Sequence, residues 1–469
     1  MKKTKIICTI GPASESEATL TELVDAGMNI ARINFSHGTH DEHLKKIKTI
    51  KKVREKLKQP IAIMLDTKGP EYRIKTFKDG KITLKAGDTF TFTNKNIIGD
   101  QTRVSVSYKN LIKELEVGDT ILLCNGLMFF EVVELTASDA ICKVVVGGEV
   151  SNNKSMNFPK KVLKNKYLSN ADKEDLLFGI QNDVDYVACS FVSCKKDVLD
   201  VRKFLDANGG ENIDIIAKIE NQTGVDNADE ILSASDGIMI GRGDLGVEIP
   251  FEKLPKIQKY LIDKSLKAGK IVITATEMLE SMINSPRPTR AEASDVANAV
   301  YDGSTAIMLS GETAMGKYPV LAVKTMSKIA VETENSINYA KRFKSFEVEK
   351  NSNLDAVSRS AISLAIDTNA KAIVACTKSG KTVKRVARFH SPIDVLGLVT
   401  DKKMYYKLAL CWGVEPYVAE DYKTLDNLFK EATKLAKNKY KLVKDNNIII
   451  TGGTGKMTNT NLVKIETIE

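Results

Sequence analysis

Lys218 and Glu220 stand two residues apart in the apolar run IDIIAKIE (213–220). Residues two apart on a strand point to the same face, so one strand end would present an ammonium beside a carboxylate. Taken alone, such a buried pair is more often an ion pair than a catalyst. Other apolar runs end in the same way. Arg32, Asn34 and Ser36 alternate in ARINFS, Arg242 and Asp244 in GRGD, and Thr274 and Thr276 in TATE, while Asp66 and Thr67 close IAIMLDT. Polar groups converging from several strands reverse the odds and point to a site. Ligand type narrows its chemistry. Glu220 and Asp244 are hard oxygen donors that can anchor Mg²⁺ or Mn²⁺ and leave positions for substrate oxygens. Asn34, Ser36, Asp66 and Thr67 bring oxygen atoms with one negative charge, which suits a monovalent cation. Only His37, His40, His43 and His390 are available for zinc. The HxxHxxH spacing of the first three reads better as a helix start after NFSHG, with two solvated imidazoles, than as a metal site. In GRGDLG, backbone N–H groups at a strand end could hold a carboxylate or a phosphate.

Eight short apolar runs, each followed by a helix-period segment, can position these groups: 5–11, 28–36, 61–69, 184–192, 213–220, 237–244, 270–277 and 305–312. Such alternation implies parallel strands with crossovers, and eight of them imply a closed (β/α)8 TIM barrel whose strand ends meet at one mouth. The third run begins at residue 61 and the fourth at residue 184, so a further unit is inserted there. Its segments KITLKAGDTFTFT, RVSVSY, DTILLC, FFEVVEL and ICKVVVGGEV alternate with period two, which predicts an all-β domain placed as a lid over the mouth. After about residue 337, helices alternate with AIVACT, DVLGLVT, VEPYVA and NIIITG, which predicts an open α/β sheet. The expected domains are a barrel at 1–69 and 166–336, an inserted lid at 70–165 and a C-terminal α/β domain at 337–469.

Bulk properties remove several function classes. With 43% hydrophobic and 28% charged residues, the 469-residue chain has the balance of a globular protein. No run approaches the ~18 apolar residues of a membrane span. The N-terminal IICTI is too short for the apolar region of a signal peptide and reads as a strand. Seven scattered cysteines without a CxxC pair suggest neither zinc nor a disulfide framework, which leads to a cytoplasmic expectation. The net charge is +9, but the basic residues are dispersed and aromatics are only 6%, so no nucleic-acid partner is expected. The basic surplus instead favours small anionic substrates through long-range steering.

The ordered segments TKIICTIGPAS, NFSHG, LDTKGPE, IIAKIEN, GRGDLGVE, SPRPTRAEASDVANAV and MLSGETAMGKYP resemble the motif set of the pyruvate kinase family, closely over residues 4 to about 320 and in outline beyond. The resemblance implies transfer of the phosphoryl group of phosphoenolpyruvate to ADP, giving pyruvate and ATP. It implies that the substrate carboxylate meets the backbone at Gly243 and Asp244 and the hydroxyl of Thr276, with Arg32 on the phosphate. Mg²⁺ would sit on Glu220 and Asp244, and K⁺ on Asn34, Ser36, Asp66 and Thr67. Asn34, His37, Arg73 and Lys154 would face the nucleotide, Lys154 from the lid. Lys218, Arg73 and Thr276 would be catalytic, and a homotetramer is the implied assembly. Glu71 in GPE resembles the K⁺-dependent branch of the family.

Some positions depart from the family pattern. Glu277 stands where glutamine is usual, which predicts a carboxylate beside an anionic substrate, and a Glu277→Gln variant with a lower apparent Michaelis constant. Ser193, Tyr72 and Thr223 also depart, without removing a ligand. In the C-terminal domain, Thr377, Lys378, Ser379, Gly380, Lys381 and Thr382 lie between a strand and a helix. They read equally as an ordinary turn or as a phosphate cradle. The resemblance implies a sugar-phosphate or nucleotide effector there, with TGGTGKMTNT (451–460) as a second wall. Two other readings compete. A Mg²⁺-dependent carbon–carbon lyase would need neither Arg73 nor Lys154, and a silent metabolite sensor would be expected to lose Lys218 or Thr276.

Overall fold

The computed structural model describes residues 2–159, 161, 163–347, 352–419, 424–453 and 460–469. Eight parallel strands close a barrel in sequential order: β1 (Lys5–Thr9), β2 (Ile30–Asn34), β3 (Ala62–Asp66), β4 (Tyr186–Cys189), β5 (Asp214–Ile219), β6 (Gly237–Gly241), β7 (Ile271–Ala275) and β8 (Ala306–Leu309). Each coincides with one of the eight apolar runs. Alternation divides their side chains between two cores. Ile7, Ile30, Met64, Tyr186, Ile216, Met239, Ile273 and Met308 point inward and fill the barrel. Ile6, Ile33, Leu65, Val187, Ile219, Ile240 and Leu309 point outward and pack beneath the helices. Both faces are apolar, so the strands read as continuous hydrophobic runs. Helix ends are capped locally. Thr39 and Glu42 form a capping box at the helix His40–Leu57, and so do Thr289 and Glu292 at Arg290–Asp302.

Between β3 and β4 lies a seven-stranded sheet that includes Thr89–Thr93, Thr120–Leu123, Met128–Leu135 and Asp139–Val146, together with a two-stranded ribbon. Its separate core is built around Phe90, Phe92 and Phe130. The strands Tyr72–Arg73 and Ser155–Asn157 pair at its base, so entry into this sheet and return from it are tied together.

The C-terminal sheet adds β9 (Ile373–Cys376), β10 (Val395–Val399), β11 (Val414–Val418), β12 (Asn447–Gly452) and β13 (Leu462–Thr467), in the order β11-β10-β9-β12-β13. β13 is antiparallel and was not legible from the pattern. Its sequence LVKIET alternates apolar with charged residues, as suits an edge. This unit also plugs the barrel base. Ala409 and Leu410 join the inward-facing barrel core, and the Tyr186 hydroxyl donates to the Lys407 carbonyl at 2.6 Å. No helix among the described residues is long and apolar enough to cross a membrane.

Candidate active site

The C-terminal strand ends bring together Arg32, Asp66, Lys218, Glu220 and Asp244. On β2, β3 and β5 the regular alternation holds, and Arg32, Asp66 and Lys218 extend the inward-facing rows. Asp66, 1% exposed, accepts from Arg32 Nε at 2.6 Å through Oδ2 and from Lys218 Nζ at 3.1 Å through Oδ1. The second carboxylate on Lys218 is Glu220, with Nζ 3.0 Å from Oε1. Burial disfavours the Lys218 ammonium, but the Asp66 and Glu220 carboxylates outweigh it and hold the lysine above its ordinary range. Asp66 stays below the usual carboxylate range despite its burial because Arg32 and Lys218 face it.

Glu220 and Asp244 behave in the opposite way. Burial, with Asp244 and Asp66 nearby, pushes Glu220 up to about 7 against the pull of Lys218. Burial also raises Asp244, which shares a hydrogen bond with Glu220. Two carboxyls in contact, Glu220 buried and Asp244 half-buried, have the donor chemistry for a hard divalent cation. At Gly241 an added Cβ would lie 2.7 Å from the Glu220 carboxylate, so the glycine leaves space for the group. Asn34 and Asp66 are register partners on β2 and β3, with Thr67 one residue further. The Ser36 N–H donates to Asn34 Oδ1 at 3.1 Å. This oxygen-rich corner with a single carboxylate fits a monovalent cation.

Three expectations at the mouth need correction. Thr274 does not share the mouth with Thr276. It faces outward and bonds Ser304 at 2.7 Å, while Thr276 adopts φ +68°, which breaks the alternation and carries its hydroxyl to the Gly243 N–H at 2.8 Å. Arg242 does not share the mouth with Asp244. A helix, Arg242–Glu248, starts at that point, and Arg242 turns outward to form a two-pronged ion pair with Asp295 at 2.7 Å. Glu277, also left-handed at φ +55°, is exposed and lines an outer groove with Arg242, Gln258 and Asp295 rather than the mouth.

The nucleotide-facing candidates are more dispersed. Arg73 pairs with Glu71 at 2.7 Å and donates to the Asn153 carbonyl at 2.7 Å. With Asp244, they line a cleft of about 420 Å³ between the inserted sheet and the barrel. His37 and Lys154 are exposed. Of the two imidazoles expected to be solvated, His40 is partly exposed and bonds Asp175 at 2.6 Å, whereas His43 is buried against Phe35. In the C-terminal unit, Thr377 follows β9, Ser379 and Lys381 are exposed, and Gly380 has φ +78° before the helix Lys381–Ala387. Lys378 is exposed, and Thr382 bonds Thr460 at 2.5 Å. Most of the segment offered as a second wall, 454–459, lies outside the described residues.

Two contributors escaped the sequence reading. Ser190 lies 2.7 Å from Lys218 Nζ, and Thr9 accepts from Arg32 at 2.8 Å. Strand parity pointed to both positions, since Ser190 continues Tyr186 and Ala188, and Thr9 continues Ile7. Neither carries a charge to draw notice.

A parallel barrel with buried cation and carboxylate groups at its C-terminal mouth, an all-β insertion above them and an α/β unit below defines a multidomain barrel enzyme. Residues 1–323 match the family model for the pyruvate kinase barrel domain, and residues 355–466 match that for the pyruvate kinase alpha/beta domain. The pyruvate kinase of Clostridium acetobutylicum is 45% identical over 473 residues, covering 100% of both chains. That of Staphylococcus haemolyticus is 46% identical, covering 100% of this chain and 81% of the relative. The crystal structure of a pyruvate kinase from Cryptosporidium parvum superposes with a TM-score of 0.95 at 38% identity, over 99% of this chain and 96% of the other. The chain belongs to the pyruvate kinase family.

Proposed function

We propose that this protein transfers the phosphoryl group of phosphoenolpyruvate to ADP, giving pyruvate and ATP as the last step of glycolysis, in the cytoplasm and as a homotetramer. The observation that carries the reading is Lys218, fixed as a buried cation between Asp66 and Glu220 in the barrel mouth. Phosphoryl transfer runs through a loose transition state whose charge spreads over the peripheral oxygens. Lys218 and Arg73 neutralise that charge, and Arg32 receives the phosphate in the ground state. The Gly243 N–H and the Thr276 hydroxyl, which hold each other at 2.8 Å, receive the substrate carboxylate beside Asp244. Asn34, His37, Arg73 and Lys154 orient the nucleotide as the inserted sheet closes over the mouth and excludes water. Mg²⁺ or Mn²⁺ on Glu220 and Asp244, with K⁺ on Asn34, Ser36, Asp66 and Thr67, supplies further charge neutralisation when bound. Once the phosphoryl group has left, the enolate carbon takes a proton through a water held by Thr276, because a hydroxyl alone is a poor acid.

Thr377, Lys378, Ser379, Gly380, Lys381 and Thr382 form the site of a sugar-phosphate or nucleotide effector in this reading, supported by the turn at Gly380 and the exposed Lys381. The deciding assay is pyruvate formation from phosphoenolpyruvate and ADP, with and without Mg²⁺ and K⁺, with Lys218→Met alongside. An inactive wild-type protein would overturn the assignment. Activity curves unmoved by sugar phosphates and nucleotides, in wild type and Lys381→Ala alike, would remove the effector.

A further inference from the structure

Three consecutive residues beyond β4 touch the catalytic pair. Ser190 Oγ lies 2.7 Å from Lys218 Nζ, the Phe191 N–H donates to Glu220 Oε2 at 2.8 Å, and the Val192 N–H donates to the Lys218 carbonyl at 3.2 Å. This requires an abrupt change of backbone direction. Phe191 has φ +56°, a conformation an aromatic residue rarely adopts, and it is held in place from both sides. The Tyr167 hydroxyl donates to the Ser190 carbonyl at 2.7 Å, and Gly69 approaches so closely that a Cβ there would lie 2.7 Å from the same oxygen.

The direction of the Ser190 hydroxyl follows from its partners. It donates to the Thr67 carbonyl at 2.7 Å, so a lone pair faces the Lys218 ammonium, which has only protons to give. Lys218 therefore directs its three donors to Asp66, Glu220 and Ser190. Two of these partners are charged and one is neutral. The neutral one fixes the ammonium without cancelling more of its charge, and so leaves positive charge to act on a transferring phosphoryl group. Without it, Lys218 would settle between the two carboxylates.

We propose that Ser190 is a positioning residue for phosphoryl transfer, holding the Lys218 ammonium in its productive orientation from the Phe191 bend. This rests on the phosphoryl-transfer reading above. A hydrogen bond to a charged group contributes enough that Ser190→Ala should lower kcat by roughly 10- to 100-fold. The apparent Michaelis constant for phosphoenolpyruvate should stay within about twofold, because the hydroxyl acts through Lys218 and not on the substrate. The test is a double-mutant cycle with Lys218→Met, read in concentrated enzyme from pyruvate formation. Ser190→Ala should cost less than about twofold in the Lys218→Met background. Ser190→Cys, whose thiol is a weak acceptor, carries the same test should the alanine variant fold poorly. Equal losses in both backgrounds, a loss confined to the Michaelis constant, or no loss at all in an active wild-type background would each overturn the inference. An inactive wild-type protein would instead strike the phosphoryl-transfer reading and the inference with it.

Discussion

One carboxylate at the joint between the barrel and the C-terminal unit holds two lysines. Asp214, the first residue of β5, is 8% exposed and takes Lys384 Nζ at 2.6 Å on Oδ2 and Lys407 Nζ at 2.5 Å on Oδ1. Burial opposes its charge, but the two lysines outweigh this and hold the carboxyl below its usual range. In Asp214→Asn the shape is kept while two ammoniums face a neutral amide. Removing one partner of a buried ion pair costs about 3–5 kcal/mol. Part of this is recovered here, because Lys407 also donates to the Asn212 carbonyl at 2.9 Å and the Lys384 side chain is 24% exposed. A loss of about 2–3 kcal/mol is therefore expected. The chain's single tryptophan reports on the same joint: Trp412 stacks on His390 with ring centres 3.9 Å apart, and Lys3 of the barrel reaches over it at 5.4 Å. Tryptophan fluorescence in urea follows this transition without treating a multidomain chain as two-state. With an m-value of roughly 3 kcal/mol/M, the midpoint should fall by about 0.7–1 M at pH 7. A depressed carboxyl contributes stability that is present above the unfolded pKa and lost as pH falls through the folded one. The gap between wild type and variant should therefore close only below the ordinary aspartate range. A midpoint shift under about 0.2 M at pH 7 would refute the assignment of Asp214 as the clamp.

Two further outcomes follow from the mouth. Burial raises Glu220 to about 7, so its contribution to stability is present at low pH and is lost as pH rises through about 7. Thermal unfolding in chelator should therefore show stability rising as pH falls from 8 to 5.5, and saturating Mg²⁺ should flatten that slope; an equal slope with and without metal would contradict it. Because Glu277 lies in the outer groove, Glu277→Gln should leave the Michaelis constant for phosphoenolpyruvate within about twofold, reversing the expectation from its place in the chain; a larger fall in steady-state assays would restore that expectation.

The barrel was legible because every strand is buried on both faces and returns one apolar run per β/α unit. The site was legible wherever the strand stayed regular up to its functional residue. Arg32, Asp66 and Lys218 each extend an inward row begun by Ile30, Met64 and Ile216, so period two carried their side chains to the correct face. Parity failed one residue later. Arg242 begins a helix, and Thr276 and Glu277 are left-handed at φ +68° and +55°, so alternation says nothing about where they point. The reading misplaced Thr274 and Arg242 for this reason, whereas Glu277 was placed beside the substrate by the family pattern and not by parity.

The same boundary explains why Ser190 was overlooked and why it matters. A charged residue in an apolar run is conspicuous because burying it carries a cost that must be offset, whereas a buried serine costs little and stands out less. Its contribution comes from the backbone turn that follows, and no residue type announces that turn: the left-handed residue is a phenylalanine, not a glycine or asparagine. Holding a phenylalanine there requires support from outside the strand, which Tyr167 and Gly69 give through contacts made only when the chain is folded. Side-chain charge thus marks the groups proposed to act on the phosphoryl group, while the turns just past the strands determine where those groups are held. Substitutions at the turns should therefore change kcat more than binding, since they displace charges that are already present.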